Sequence, residues 1–322
     1  MQDITTLAAL YEGRFPVSNF DYEPKSLYEP VMHIMSIPGK RIRPLLLLLS
    51  CDAFGGDPKT ALEQAYAMEI FHNFTLVHDD IMDHAELRRG KPTVHKIYGL
   101  NAGILAGDVM LSYAYKYLSS VKLEYLPKVL SLFNNTSIEI YEGQQMDVDF
   151  EQRMDVSITE YLKMITYKTS VLLACSLQIG AIVAGANEQD QQQLYQFGLN
   201  LGLSFQIKDD WLDTFGDGDK VGKTIGGDII QNKKTYLLIT LLNQANEADK
   251  QAITALLLLT DNNEKVAGVM ALYRKYNVNE QTLAKTQYLY EEALASLDKV
   301  SIAKEQKATL YKMAELVNNR QF

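Results

Sequence analysis

The chain has 322 residues, 47% of them hydrophobic, which is enough to bury a substantial core. Its formal net charge of −9 excludes nonspecific nucleic-acid binding as a main activity, because that activity needs a basic surface. Two cysteines are too few for a disulfide framework, and no basic leader or apolar run of about 20 residues is visible. These features predict a cytoplasmic protein without a transmembrane segment.

Apolar residues recur at the 3.6-residue period of an α-helix along most of the chain, and alternating strand patterns are scarce. Three helices matter for function. The first is predicted from about 60 to 83, the second from Ser157 to about Gly185, and the third from about 188 to 215. Further helices are predicted at about 233–246, 249–260, 263–276, 279–298 and 302–317.

The first and third helices are apolar on most sides, so they are expected to lie inside a bundle. The second helix starts with Ser157 and Glu160, which form a capping-box pair. The fold class predicted from these patterns is all-α, with one large bundle domain over residues 1–322.

The same acidic pattern occurs at the C-terminal ends of two of these helices. Asp79, Asp80 and Asp83 end the first helix, and Asp209, Asp210 and Asp213 end the third. In each set the first and last aspartates are four residues apart, so they project from one helical face and repel each other. The macrodipole at a helix C-terminus also disfavours anions. Divalent cations such as Mg²⁺, bound through carboxylates and substrate phosphates, would offset these costs.

Basic residues accompany both acidic patterns. Each single cation also fits a simple salt bridge, but the set as a whole predicts a site for a multiply charged anion such as a diphosphate. These cations are Lys40, Arg41, Arg43, Arg88, Arg89, Lys168, Lys223 and Lys233. Gln206 shares a helical face with the second aspartate set, and His72 lies seven residues before Asp79 on the same face. For His72, a packed core residue is an equally good interpretation.

These residues resemble the trans-isoprenyl diphosphate synthase (polyprenyl synthetase) family over nearly the whole chain. The resemblance rests on motifs in the family's order: GKRIRP at 39–44, LVHDDIMD at 76–83, RRGKPTVH at 88–95, GD at 107–108, GQQMD at 143–147, KTS at 168–170, FQIKDDWLDTFGD at 205–217 and GKTIGGDIIQNKKT at 222–235. It implies the all-helical isoprenoid synthase fold with a deep central cavity, and a homodimer.

The resemblance also implies roles for individual residues. Asp79 and Asp83 would bind two Mg²⁺ ions and Asp209 a third, with Mn²⁺ able to substitute, while Asp80, Asp210 and Asp213 support the cluster. The allylic diphosphate would be held by Arg88, Lys168, Lys223 and Lys233. Isopentenyl diphosphate would be held by Lys40, Arg43, His72 and Arg89. Thr169 and Gln206 would face the developing carbocation, and Asp147 matches a family position near the metals.

Three side chains upstream of Asp79 are candidates for setting product length. Phe74 lies about 7.5 Å and Phe71 about 12 Å along the helix axis before Asp79, and both also fit ordinary core positions. In family members that stop at C15, positions 74 and 75 are often both bulky. Here Phe74 is aromatic but Thr75 is small, which resembles geranylgeranyl diphosphate synthases. The expected product is therefore geranylgeranyl (C20) diphosphate, with farnesyl (C15) diphosphate as the near alternative.

Three other functions share some of these sequence features. A longer-chain polyprenyl diphosphate synthase shares the same chemistry. A terpene cyclase would normally replace the second acidic motif. A non-catalytic partner subunit would be expected to lose aspartates or basic residues, and the expected positions are all present here.

Overall fold

The computed structural model describes residues 2–216 and 225–319, most of which are helical. The strands among these residues form one two-stranded antiparallel hairpin, with β1 at Leu87–Arg88 and β2 at Lys91–Pro92. The predicted all-α fold class is confirmed. Lys223, a predicted diphosphate ligand, lies outside the described residues.

The chain divides into two compact units. The first unit comprises Met1–Phe133, Cys175–Gln192 and Ser301–Leu310. The second comprises Asn134–Ala174, Gln193–Val300 and Tyr311–Phe322. The prediction of one domain over residues 1–322 stays a prediction.

The first half of the chain builds its helices around α4, which carries the first acidic motif. These helices are α1 (Ile4–Arg14), α2 (Lys25–Ser36), α3 (Ile42–Ala53), α4 (Leu62–Met82), α5 (Val94–Tyr98), α6 (Leu100–Leu118) and α7 (Leu126–Glu151), with 3₁₀ turns at Val17–Phe20 and Pro58–Ala61. α4 is buried on nearly all sides, as its apolar sequence predicts. It starts at Leu62 because the Pro58 turn precedes it, two residues later than expected.

The second half carries the remaining functional segments. Its helices are α8 (Ile158–Ile165), α9 (Val171–Val183), α10 (Glu188–Phe215), α11 (Gly227–Ile230), α12 (Tyr236–Gln244), α13 (Glu247–Leu257), α14 (Asn262–Lys275), α15 (Val278–Asp298) and α16 (Lys304–Asn318). The Ser157–Glu160 capping box at the start of α8 is confirmed. The helix predicted from about 233 starts only at Tyr236, because Thr235 caps it through a side-chain bond to the Leu238 amide.

The second predicted helix contains an irregular turn. Between α8 and α9, Thr166–Ser170 forms a π-helical segment, so Lys168 and Thr169 leave the regular α-helical spacing. The stretch Ile158–Val183 is also long and apolar enough to cross a bilayer, but 72% of its most apolar window is buried inside the protein. That degree of burial is typical of a core helix.

Candidate functional site

The first acidic motif lies where α4 ends. The Asp83 amide donates to the Asp79 carbonyl at 2.8 Å, which keeps these two residues one helical turn apart. His84 then adopts a positive φ of 51° and ends the helix. The Asp79 side chain is 20% exposed and Asp83 is exposed, so both carboxylates are accessible to a ligand.

The middle residue of this motif has a different environment. Asp80 is buried, and Arg88 donates to both of its carboxylate oxygens over 2.7–2.9 Å. The same guanidinium lies 3.8 Å from Asp79. Arg88 reaches this position because the β1–β2 hairpin folds back after the helix ends. The sequence indicated that Asp80 and Arg88 were near each other, but it did not predict a bidentate pair.

The basic GKRIRP segment lies beside the same hairpin. The Arg89 side chain donates to the Pro38 carbonyl at 2.6 Å, and a Cβ on Gly39 would clash with the same guanidinium, so the start of the segment lies against Arg89. Arg41 plays a structural part here, because it pairs with the buried Glu69 at 2.5 Å and donates to the Met35 carbonyl. These contacts account for Arg41 without a substrate.

The pKa of His72 reflects the positive charge of the side chains around it. Burial lowers the pKa of His72 well below its usual value, and the guanidinium groups of Arg43, Arg89, Arg88 and Arg41 lower it further. Both influences favour the neutral imidazole over the imidazolium. Arg41 and Arg88 are paired with Glu69 and Asp80, whereas Arg43 and Arg89 add positive charge beside His72.

The three chain-length candidates follow α4 away from this region. Phe71 and Phe74 are buried, with ring centroids 5.4 Å apart, and Phe71 also packs edge-to-face on Phe133 of α7 at 4.9 Å. Thr75 is half-buried, and its hydroxyl donates to the His72 carbonyl at 2.8 Å. These contacts identify the two phenylalanines as packed side chains and leave their effect on product length a prediction.

In the second unit, the π-helical segment positions Lys168 and Thr169. A Cβ on Gly143 would lie 2.4 Å from the Lys168 amide nitrogen, and a Cβ on Gly202 would lie 2.7 Å from the Ser170 Cα. Both contacts would be clashes, so α7 and α10 approach the segment closely only because these positions are glycine. Gly143 is part of the GQQMD motif, but its packing role was not predicted.

Each of these two side chains contacts another predicted site residue. Lys168 forms an ion pair with Asp147 at 2.6 Å. The Thr169 hydroxyl donates to the Gln206 side-chain oxygen at 3.2 Å. The structure therefore brings these four residues into two pairs, Lys168 with Asp147 and Thr169 with Gln206, which were not predicted as pairs.

The middle residue of the second acidic motif has neutral partners. Asp210 is buried, and accepts from the Tyr161 hydroxyl at 2.5 Å and from the Gln206 amide at 3.3 Å. Burial raises the pKa of Asp210 to about 8, and repulsion from the Asp228 carboxylate adds to the effect. A cation bound nearby would counter both influences.

The last residue of that motif organises the following loop. The Asp213 carboxylate accepts from the Asp228 amide at 2.9 Å, and the Asp213 carbonyl accepts from the Gly226 amide at 2.7 Å. Lys233 follows in the same loop, with its ammonium 3.7 Å from the Asp228 carboxylate. Asp213 thus fixes the turn from which Lys233 extends.

Two residues of this unit that contact the second acidic motif were not predicted from the sequence. Tyr161 lies outside every recognised motif. Its hydroxyl bonds to Asp210, which is 49 residues away in sequence, so no local pattern indicates the contact. Asp228 stands in the GGD part of a quoted motif, so the motif itself was a signal that could have identified it. Its amide and its charge both act on the second acidic motif.

The candidate metal ligands are all carboxylates, which Mg²⁺ prefers. Within residues 2–216 and 225–319, no three His, Cys, Asp or Glu side chains come together in a group that could hold a metal. Mg²⁺ often takes only one or two carboxylates and completes its shell with water and substrate phosphates. The carboxylates of Asp79 and Asp83 at the end of α4 are therefore of a type that suits Mg²⁺ shared with a diphosphate, and in the second unit the Asp209 carboxylate is of the same type.

Comparisons with known proteins agree with these features. Residues 24–276 match the family model described as polyprenyl synthetase. The geranylgeranyl diphosphate synthase of Saccharolobus solfataricus is 47% identical over 249 residues, which are 76% of this chain and 73% of that enzyme. The geranylfarnesyl diphosphate synthase of Natronomonas pharaonis is 37% identical over 245 residues, or 70% of this chain and 72% of that enzyme.

A solved structure extends the similarity to the full fold. The crystal structure of a geranylgeranyl pyrophosphate synthase is 41% identical to this chain, with a TM-score of 0.95 and full coverage of both chains. Structural neighbours of this kind are prenyltransferases with the isoprenoid synthase fold. The chain therefore belongs to the polyprenyl synthetase family and is a short-chain prenyltransferase.

Proposed function

We propose that this enzyme condenses isopentenyl diphosphate with an allylic diphosphate, head to tail, and that its main product is C20 geranylgeranyl diphosphate. The observation that carries the proposal is the pair of Asp-Asp-x-x-Asp motifs, each at the end of a long helix and each near basic side chains. The accessible carboxylates of Asp79 and Asp83 support metal binding at the first motif.

Three Mg²⁺ ions would be held, two by Asp79 and Asp83 and one by Asp209, and Mn²⁺ would substitute. When bound, these ions supply positive charge that stabilises the departing diphosphate. Asp80, Asp210 and Asp213 support the ligands: Asp80 by fixing Arg88, Asp210 through its bonds to Tyr161 and Gln206, and Asp213 by fixing the loop. Asp147 contributes by orienting Lys168.

Two sets of basic residues would each bind one of the two substrates. Arg88, Lys168, Lys223 and Lys233 hold the allylic diphosphate, and Lys40, Arg43, His72 and Arg89 hold isopentenyl diphosphate. The positive charge of Arg43 and Arg89, which acts on His72, supports an anion site in the first unit. A neutral imidazole would donate a hydrogen bond to a phosphate oxygen without bringing a further charge.

The residues of the chain then guide a reaction that needs no protein nucleophile. Ionisation of the allylic C–O bond leaves a carbocation, which Thr169 and Gln206 face through their oxygen atoms. The double bond of isopentenyl diphosphate attacks this cation, and the released diphosphate accepts the proton that leaves. Apolar walls exclude the water that would otherwise quench the cation.

Product length would be set by Phe71, Phe74 and Thr75 on α4. The two aromatic side chains lie deeper along the helix than Thr75, which leaves one small position before them. Relatives named for C20 products support this length, and the relative named geranylfarnesyl diphosphate synthase makes a longer product a rival outcome.

We further propose a cytoplasmic homodimer in which residues 1–322 work as one synthase domain, with no nucleic-acid partner. Support for a second copy comes from apolar residues near the start of α6 that are 41–56% exposed, namely Ile97, Leu100, Ile104 and Leu105. Such a patch is typical of a protein interface. Molar mass from light scattering tests the dimer, and a monomeric mass would contradict it.

Incubation of the purified enzyme with isopentenyl diphosphate and one allylic primer at a time tests the reaction. Dimethylallyl, geranyl and farnesyl diphosphate should all be extended in Mg²⁺, with C20 as the main product on sizing. EDTA should abolish turnover while the circular dichroism spectrum stays helical, and added Mg²⁺ or Mn²⁺ should restore it. Full activity in EDTA would contradict the metal assignment, and a C15 or C25 main product would contradict the C20 length.

A further inference from the structure

Lys265 of α14 is a buried lysine outside every motif considered above. It is 4% exposed, and its ammonium donates to the carbonyl of Ile230 at 3.0 Å. Burying a cation is costly unless it is paired, so a lysine at this depth needs a specific partner. Its partner is the last residue of the one-turn helix α11, where carbonyl groups lack an intrahelical donor.

A neighbouring residue of α14 contacts the start of the same turn. Gly226 has a φ of +79°, and a Cβ at that position would lie 2.8 Å from two carbons of the Val266 side chain. Ile229, inside the turn, belongs to the same buried cluster as Val269. α14 therefore contacts the turn at its beginning, within it and at its end.

This turn leads directly into the proposed diphosphate-binding residues. Asp213 accepts hydrogen bonds from the amides of Gly226 and Asp228. The Lys233 amide in turn donates to the Asp228 carbonyl at 2.9 Å. Displacement of the Ile230 carbonyl would therefore be transmitted to Asp213 on one side and to Lys233 on the other.

A second residue of α14 acts on the same group of side chains. Tyr273 is 1% exposed, and burial raises its pKa, while the neighbouring Thr235 side chain, two residues after Lys233, lowers it. Its ring also lies 6.2 Å from that of Phe215 at the end of α10. α14 thus contacts both ends of the segment that joins the second acidic motif to Lys233.

We infer that Lys265 is a positioning residue: through the Ile230 carbonyl it holds the turn that presents Asp213 and Lys233 to the allylic diphosphate. The inference rests on the proposed function, because the ligand it assigns is the allylic substrate of that reaction. Lys265 itself has no proposed contact with substrate.

The test is Lys265→Met in the full-length enzyme, which keeps the aliphatic stem and removes the ammonium. The KM for farnesyl diphosphate should rise about 10-fold, as expected when a charged hydrogen bond to the turn is lost. The KM for isopentenyl diphosphate should change by less than about twofold, because its proposed ligands are in the first unit. A purely structural role would lower the melting temperature and leave both KM values unchanged.

Lys307→Met is the matched control, since Lys307 is also buried, at 7% exposed, and belongs to the first unit. It should leave the KM for farnesyl diphosphate unchanged. Val266→Ala gives a second test if Lys265→Met does not fold, because it keeps the ammonium but loosens the contact with Gly226. It should raise the same KM about threefold, a smaller effect than loss of the bond.

The inference is overturned if the foldable variant leaves the KM for farnesyl diphosphate unchanged, or if both substrates lose affinity equally. Failure of the proposed function would look different. In that case the unmodified enzyme would not extend any allylic primer in Mg²⁺, whatever Lys265→Met does.

Discussion

The two acidic motifs have the same Asp-Asp-x-x-Asp pattern but different surroundings. In the first, the middle residue Asp80 is held by a bidentate pair with Arg88. In the second, the middle residue Asp210 accepts hydrogen bonds from the neutral groups of Tyr161 and Gln206, and burial raises its pKa to about 8. The repeated sequence therefore does not produce a repeated site.

The two units differ in how the repulsion between their carboxylates is compensated. The first unit supplies a guanidinium next to two aspartates, so part of their repulsion is cancelled by the protein. In the second, Asp210 and Asp228 repel each other inside the fold, and a bound cation would relieve this. The following predictions test the contrast, from the largest expected effect to the smallest.

The largest effect is expected from the proposed metal ligands. Asp79→Ala and Asp83→Ala should each lower kcat on the order of 10³-fold, because charge on the leaving diphosphate would no longer be stabilised. Asp209→Ala should lower kcat less, on the order of 10²-fold, because it is proposed to hold one ion of the three. Steady-state rates at saturating Mg²⁺ measure this.

A surface carboxylate provides the control. Glu291→Ala, which removes an exposed acid whose bond is to Gln287 on α15, should leave the rate unchanged. All variants should keep the helical circular dichroism spectrum. If Asp79→Ala and Asp83→Ala turned over at the normal rate, the metal assignment at the first motif would be wrong.

The middle aspartates should differ in stability. Asp80→Asn leaves the partly buried Arg88 without its carboxylate and should lower the free energy of unfolding by about 3 kcal/mol. Asp210→Asn keeps an acceptor for the Tyr161 hydroxyl and should cost about 1 kcal/mol. Urea unfolding measures both, and equal losses would remove the contrast between the motifs.

The neighbouring arginines should separate the two substrates. Arg88→Ala should weaken binding of the allylic diphosphate, and Arg89→Ala should weaken binding of isopentenyl diphosphate, each by about 10- to 100-fold, as expected for charged hydrogen bonds. Arg88→Ala should also lower stability, because Asp80 loses its partner. Titration of each variant with each ligand measures these affinities. An equal loss of affinity for both ligands in either variant would contradict the assignment of the two arginines to different substrates.

The smallest effect is expected on product length, with the rate changing little. Phe74→Ala should lengthen the product, and adding Phe71→Ala should lengthen it further, because each removes a ring from the wall along α4. Thr75→Phe should shorten it toward C15. Chromatography of the dephosphorylated products measures this, and an unchanged distribution in all three would place the floor elsewhere.

Much of the fold could be predicted because helical periodicity is a local property of the sequence. The helix predicted at about 188–215 is confirmed as α10, Glu188–Phe215, since its apolar spacing continues along that whole stretch. The π-helical turn at Thr166–Ser170 was not predicted. It packs closely against Gly143 and Gly202, which are distant from it in sequence and are not part of its local helical pattern.

By itself, the sequence determined the family, the reaction class and the position of both acidic motifs, because these depend on residue type and spacing. Only the tertiary structure decided which partner each aspartate has. Tyr161 reaches Asp210 across 49 residues, and Lys265 reaches Ile230 across 35. Charge compensation of this kind depends on distances between side chains in space, and residues so far apart in the chain have no spacing rule that would predict them.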